Sequence, residues 1–105
     1  MRAESLDFAS EFRRLATEKS PERAVELGGV SVRLVRVDGG GEGRWDRHAT
    51  TAETAIVWSG DFSVEFRDST LFLGPGQCCV IPMGAEHRGT SKKGAEIILF
   101  TKSEG

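Results

Sequence analysis

Four side chains of the kinds that ligate metal ions lie in two separate parts of the sequence. Asp46 and His48 are two residues apart, Glu53 lies five residues further on, and His87 comes from a distant segment. Residues two apart in a strand project from the same face. Two imidazoles with one or two carboxylates suit divalent Fe, Mn, Zn or Ni. Spacing alone leaves three interpretations open: a metal site, the remnant of one, or a strand whose polar residues share a face.

Short strands joined by glycine turns would have to position these side chains. Thirteen glycines in 105 residues indicate many tight turns. The segments between them are rich in β-branched or aromatic residues, or alternate in polarity, which is typical of strands. The predicted strands cover residues 23–27, 30–37, 54–58, 62–66, 70–73, 77–81 and 95–100. Many short strands of this kind predict an all-β sandwich or barrel.

One amphipathic helix is predicted before the strands, over residues 5–19. Phe8, Phe12 and Leu15 recur at helical spacing and would share one face. Ser5 is the predicted N-cap, and the proline after residue 20 ends the helix. A single helix of this size cannot form a core, so its apolar face must pack on the sheet or on a partner subunit.

Composition excludes several classes of function. The formal net charge is −2, and Arg13-Arg14 and Lys92-Lys93 are the only pairs of identical basic residues, which argues against a nucleic-acid partner. No run of about 18 apolar residues is present, and the N-terminus lacks the pattern of a signal peptide. Cys78 and Cys79 are adjacent, so they should point to opposite faces of a strand and stay unbonded. We therefore predict a cytoplasmic protein without a membrane span.

The candidate ligands fall within two patterns that begin with glycine. Five, one, four and six residues separate the positions of the first pattern, which are Gly40, Asp46, His48, Glu53 and Gly60. Five, one, two and three residues separate the positions of the second, which are Gly76, Pro82, Gly84, His87 and Ser91. In order and register, these patterns resemble the two signature motifs of the cupin superfamily. The segment between them, DFSVEFRDSTLFLGP, is similar to that of compact single-domain microbial cupins.

The resemblance implies a small jelly-roll β-barrel whose mouth holds a divalent metal ion. Cupins usually ligate it with three histidines and one glutamate. His48 matches the second histidine, Glu53 the glutamate and His87 the last histidine, whereas Asp46 stands in place of the first histidine. An aspartate ligand would add negative charge, which attracts a cation and disfavours an anionic substrate directly on the metal. Alternatively, Asp46 does not reach the metal, or it pairs with a neighbouring arginine, Arg44 or Arg47.

The family also implies an organisation and a range of functions. The chain is expected to form a helix and lead-in over residues 1–21 and a barrel over residues 22–102. It is expected to form a homodimer, in which the helix and the 23–27 strand could exchange between copies. The expected function is metal-dependent chemistry on a small, partly apolar molecule, of dioxygenase, isomerase, decarboxylase or lyase type. The alternative is a non-catalytic binding or sensing protein with a lost or weakened metal site.

Two features of the sequence narrow this range. The chain has no tyrosine, which argues against the sugar-epimerase branch, whose chemistry relies on a tyrosine acid. Three arginines, Arg33, Arg36 and Arg44, could reach the carboxylate of a ligand if they pointed into the barrel. Surface exposure is the expectation for each of the three. The substrate is not identified by these residues.

Overall fold

Eight strands and one helix make up the described part of the chain in a computed structural model, which describes residues 3–41, 43–48 and 50–102. The helix, α1, spans Phe8–Glu18. The strands are β1 Glu22–Leu27, β2 Val30–Val37, β3 Glu53–Gly60, β4 Phe62–Phe66, β5 Thr70–Leu73, β6 Cys78–Ile81, β7 His87–Thr90 and β8 Ala95–Lys102. The predicted all-β fold with a short N-terminal helix is confirmed.

Two antiparallel sheets form the two sides of the jelly roll. The larger has the order β1-β2-β8-β3-β6 and the smaller has the order β5-β4-β7. Apolar side chains from both sheets fill the space between them, and the buried ones are Ala55, Val57, Phe62, Val64, Ile81, Ala95 and Ile97. This core lies at one side of the larger sheet and supports the strands that carry the candidate ligands.

The opposite side of the larger sheet is covered by α1. Phe12 and Leu15 are buried against Val32, Leu34 and Ile98. The helix is therefore packed on its own chain, one of the two arrangements that its amphipathic face allowed. No helix within the described ranges combines the length and the apolar character needed to cross a membrane.

The helix begins later than the sequence predicts. Asp7, not Ser5, is the N-cap, because its Oδ1 accepts a hydrogen bond from the backbone N–H of Ser10 at 3.2 Å. The same hydrogen bond lowers the pKa of the Asp7 carboxyl below its ordinary value. At the other end, Lys19 adopts a left-handed conformation with φ 54° and caps the helix two residues before Pro21.

One strand, β7, was not predicted. It contains only four residues, and one of them is a glycine, so its local preference for extended structure is weak. Its conformation comes from pairing with β4, in which Phe66 lies opposite His87 and Ser63 lies opposite Thr90. This non-local pairing matters for function because His87 is the first residue of β7.

Candidate metal centre

The two motif segments are joined through their backbones at the mouth of the barrel. Asp46 and His87 form an isolated antiparallel bridge, with N–H···O distances of 2.8 and 2.9 Å. Nearby, the N–H of Gly84 donates to the carbonyl of His48 at 2.7 Å. Gly43 lies so close to β7 that a Cβ there would overlap the carbonyl oxygen of Gly89. The first segment is thereby held against the second before any side chain is considered.

Three of the four candidate ligands are brought together by this arrangement. Glu53 begins β3 and His87 begins β7, and both are buried, while His48 lies on the segment that leads into β3 and is partly exposed. One potential ligand atom from each of these three residues lies within 4.8 Å of the others. Their chemistry, two imidazoles and a carboxylate, fits a divalent transition ion.

The turn that precedes His87 fixes the orientation and the tautomer of its imidazole ring. Its Nδ1 lies 3.0 Å from the carbonyl oxygen of Ala85. A carbonyl oxygen can only accept, so Nδ1 carries a hydrogen, and in the neutral ring the lone pair of Nε2 is the one that faces a ligand. A histidine that ligates a metal typically donates its second N–H in this way.

Glu53 is a buried carboxylate with two partners. Its Oε1 lies 3.2 Å from Nε2 of His48, and its Oε2 lies 3.8 Å from Nη1 of Arg33. Arg33 in turn contacts Glu22 on β1 at 3.0 Å. Burial of an unpaired carboxylate would be costly, and these contacts offset that cost.

Asp46 borders the same cavity but does not join the group of three. It is exposed, and its Oδ1 accepts a hydrogen bond from the backbone N–H of Arg47 at 2.8 Å. The guanidinium of Arg47 contacts Glu86 instead, at 3.0 Å. Whether Asp46 ligates a metal therefore stays a prediction.

The cavity combines an apolar interior with a charged mouth. Its volume is about 420 Å³. Apolar side chains from both sheets line it, and they are Val35, Val37, Ala55, Phe62, Val64, Ile81 and Leu99. The candidate ligands and three arginines lie around the mouth. Enclosed apolar surface with a few polar groups at one end is typical of small-molecule sites.

One of the three arginines departs from the expected surface exposure. Arg36 is exposed outside the cavity, as expected, but Arg33 is half-buried and lines it, and exposed Arg44 lies at its mouth. Strand alternation could have identified Arg33, because Val32 and Leu34 face the helix and the residue between them must face the cavity. Arg88 also lines the cavity and was missed, since β7 was not predicted.

Two guanidinium groups contact the indole ring of Trp45, the residue before Asp46. The Arg67 guanidinium lies 3.7 Å from the centre of the indole ring and that of Arg88 lies 4.9 Å from it. Arg67 also donates to Glu86 at 2.7 Å, and this hydrogen bond is the main cause of the lowered pKa of that carboxyl. The contacts with the two guanidinium groups fix the position of the Trp45 ring.

Ser91, the last position of the second pattern, has a structural role. Its hydroxyl donates to Oδ1 of Asp61 at 3.1 Å and accepts from the N–H of Gly94 at 2.9 Å. Asp61 also accepts from the backbone of Lys92 and Lys93, and the hydrogen bond from Lys92 is the largest cause of its lowered pKa. Together these bonds fix the turn from β7 to β8.

The two cysteines point to opposite sides of β6, as predicted. Cys79 packs against the core between the sheets, and burial raises the pKa of its thiol. Cys78 is exposed, and both thiols are free. Neither residue lines the cavity that contains the candidate ligands.

Comparisons with known proteins agree with this architecture. A cupin-2 domain-containing protein from Shewanella frigidimarina is 32% identical, with 92% of this chain and 93% of that chain covered and a TM-score of 0.80. A protein from Neisseria meningitidis is 23% identical, with 95% and 100% covered and a TM-score of 0.82. A DMSP lyase structure is 23% identical, with 75% and 41% covered and a TM-score of 0.66.

The family assignment follows from one further match. No curated protein matches the sequence significantly. A family model described as a cupin domain matches residues 33–101, which include both motifs and most of the two sheets. This match spans more than half of the chain, and the protein therefore belongs to the cupin family.

Proposed function

We propose that the protein binds one divalent transition-metal ion through His48, Glu53 and His87 and carries out metal-dependent chemistry on a small, partly apolar molecule. The observation that carries this proposal is the convergence of three ligand atoms within 4.8 Å at the polar end of an apolar cavity. Fe, Mn, Zn and Ni all suit this donor set. Such an ion would act as a Lewis acid or as a centre for dioxygen activation.

The protein's own residues would prepare the site for a metal. The Ala85 carbonyl orients His87, and the barrel interior excludes water from Glu53, which is 4% exposed. Asp46 lies on the same face of the bridge as His87, since directly opposite residues in an antiparallel pair project to one side. We propose Asp46 as a weaker fourth ligand, which would require its carboxylate to leave the N–H of Arg47. If it stays there, it is a candidate proton acceptor at the cavity mouth.

A second function, metal-independent binding of a small molecule, is favoured by a specific observation. Every buried side-chain nitrogen and oxygen among the described residues has a hydrogen-bond partner. The Glu53 carboxylate already contacts His48 and Arg33, so it has polar partners without a metal ion. A DMSP lyase among the structural neighbours has 23% identity and supports the fold alone.

Elemental analysis separates the two functions. The protein should be purified without chelator or affinity-metal resin, and its melting temperature measured with and without EDTA. About one metal ion per chain and a lower melting temperature in EDTA are expected, because an ion bound only to the native state stabilises it. His87→Ala should remove both effects, whereas Asp68→Ala, in an exposed turn, should leave them unchanged. No metal, no EDTA effect and no rescue by added Fe, Mn, Ni or Zn would favour metal-independent binding.

We also propose that two copies associate. Within the chain, β1 pairs with β2 over its whole length and α1 covers the sheet, so exchange of these elements is not required. The support is instead apolar exposure on the outer face around β3 and β6, where Trp58 is 42% and Val80 60% exposed. Light scattering should give twice the monomer mass, and Val80→Glu should reduce it to the monomer.

The free thiols are compatible with the proposed cytoplasmic location.

A further inference from the structure

We infer that the molecule bound in the cavity carries a carboxylate, that Arg44 recognises this group, and that the apolar body of the molecule lies between the sheets. The inference deepens the proposed function, because it names the class of molecule that would occupy the same cavity. It depends on the cavity and its cations, and the metal ion is not needed for it.

The three arginines of the cavity differ in their partners. Arg33 contacts Glu22 and Glu53, and Arg88 is paired with Glu65. Arg44 forms no hydrogen bond, ion pair or ring contact with any residue in the described ranges. Among the residues that the structure describes, Arg44 is therefore the cavity cation without a paired charge, and we take it as the one that meets a ligand.

The chemistry of a guanidinium selects among possible ligands. Its planar fork of N–H donors matches a carboxylate with two parallel hydrogen bonds. A phosphate dianion would need more donors than one free arginine, and Asp46 and Glu53 would repel its second charge. A neutral ligand could accept a hydrogen bond from Arg44 but would gain less from it than a charged acceptor does. A monocarboxylate best suits Arg44, the one cavity arginine without a charged partner in the described part of the chain.

The acidic residues also determine how the molecule would lie. Glu53 stands with the two histidines and Asp46 also lines the cavity, so a carboxylate should avoid both acidic residues and turn toward Arg44. The rest of the molecule would then contact the apolar lining. A volume of about 420 Å³ lies near the lower end of the roughly 300–1,000 Å³ typical of ligand pockets, which indicates a small body.

The test compares two probes of nearly the same shape, 3-methylbutanoate and 3-methylbutanamide, by titration followed with NMR. Wild type should bind the carboxylate on the order of tenfold more tightly than the amide, as expected for a charge-assisted hydrogen bond. Arg44→Gln should abolish this preference. Arg36→Gln is the matched control, because Arg36 is exposed on the same strand as Arg33 but outside the cavity, and it should retain the preference.

Equal binding of the two probes, no binding of the carboxylate in the millimolar range, or an unchanged preference in Arg44→Gln would overturn the inference. Each titration should be made on EDTA-treated and on metal-supplemented protein, with the metal content measured in parallel. If the protein took up no metal even when supplemented and still preferred the carboxylate, the inference would hold and the proposed metal-dependent function would be contradicted. If the protein bound metal but did not prefer the carboxylate, the proposed metal binding would hold and the inference about the carboxylate would be overturned.

Discussion

The backbone N–H of Asp46 donates to the carbonyl oxygen of His87 at 2.8 Å, and the N–H of His87 donates to the carbonyl oxygen of Asp46 at 2.9 Å. This bridge joins the two motifs at the candidate metal centre. The position of His87 therefore depends on the backbone of residue 46 and not on its side chain. This explains how position 46 can carry an aspartate, where cupins usually have a histidine, without displacing His48, Glu53 and His87.

The bridge predicts that Asp46→Ala weakens metal binding without abolishing it. The substitution leaves both N–H···O bonds intact, so the three convergent side chains keep their places. We expect metal affinity to fall about tenfold, the lower end of the effect of residues around a metal site. Metal competition with a chelating dye measures this change, with His87→Ala as the reference for complete loss. If Asp46→Ala lost metal as fully as His87→Ala, the carboxylate would have to be a principal ligand.

Glu53→Gln should remove the metal and also destabilise the metal-free protein. A neutral amide cannot replace the buried carboxylate between His48 and Arg33, and a polar group left poorly paired costs about 1–3 kcal/mol. Urea unfolding in EDTA gives the change in the free energy of unfolding. Glu22→Gln is the control, because it removes only the exposed partner of Arg33, worth about 0–1 kcal/mol. Equal effects of the two variants would contradict the structural role of Glu53.

Asp61 should make the stability depend on pH in the acid range. Its folded-state pKa is lowered, chiefly by the hydrogen bond from the N–H of Lys92, so the ionised form is favoured by folding. The stability it contributes is present above the ordinary pKa of 3.8 and is lost as the pH falls through the lower, folded-state pKa. Melting temperatures of wild type and Asp61→Asn should converge as the pH is lowered through this range. A difference that stayed constant would indicate that the Asp61 charge does not act on the turn.

Phe12→Ala should cost stability without affecting the site. Phe12 lies on the buried face of α1 and is 2% exposed, and removal of a buried aromatic ring typically costs about 3–5 kcal/mol. The neighbouring Arg13 is exposed, so Arg13→Ala is the matched control and should change stability little. Denaturant unfolding and metal content should be measured on both variants. Loss of metal from folded Phe12→Ala would mean that the helix supports the site directly.

The sequence predicts the fold better than it predicts the details of the site. Motif spacing and alternation identify the barrel, and the predicted strands 30–37, 62–66 and 70–73 agree with the structure. The strand that begins at His87, β7, escapes prediction because pairing with β4, not local preference, makes it extended. The proximity of Glu53 to His48 and His87, and the separation of Asp46 from that group, depend on how distant segments meet. No pattern along the chain specifies those distances.

The larger sheet separates two clusters of buried residues, one beneath α1 and one around the cavity. Regions that share few contacts can open independently, so α1 is a candidate for a sub-global unfolding unit. Amide hydrogens of the helix would then exchange with solvent through an opening in which the strands around Glu53 remain protected. Substitutions on the helix could in this way adjust the lifetime of the protein in the cell while the arrangement of His48, Glu53 and His87 stays the same.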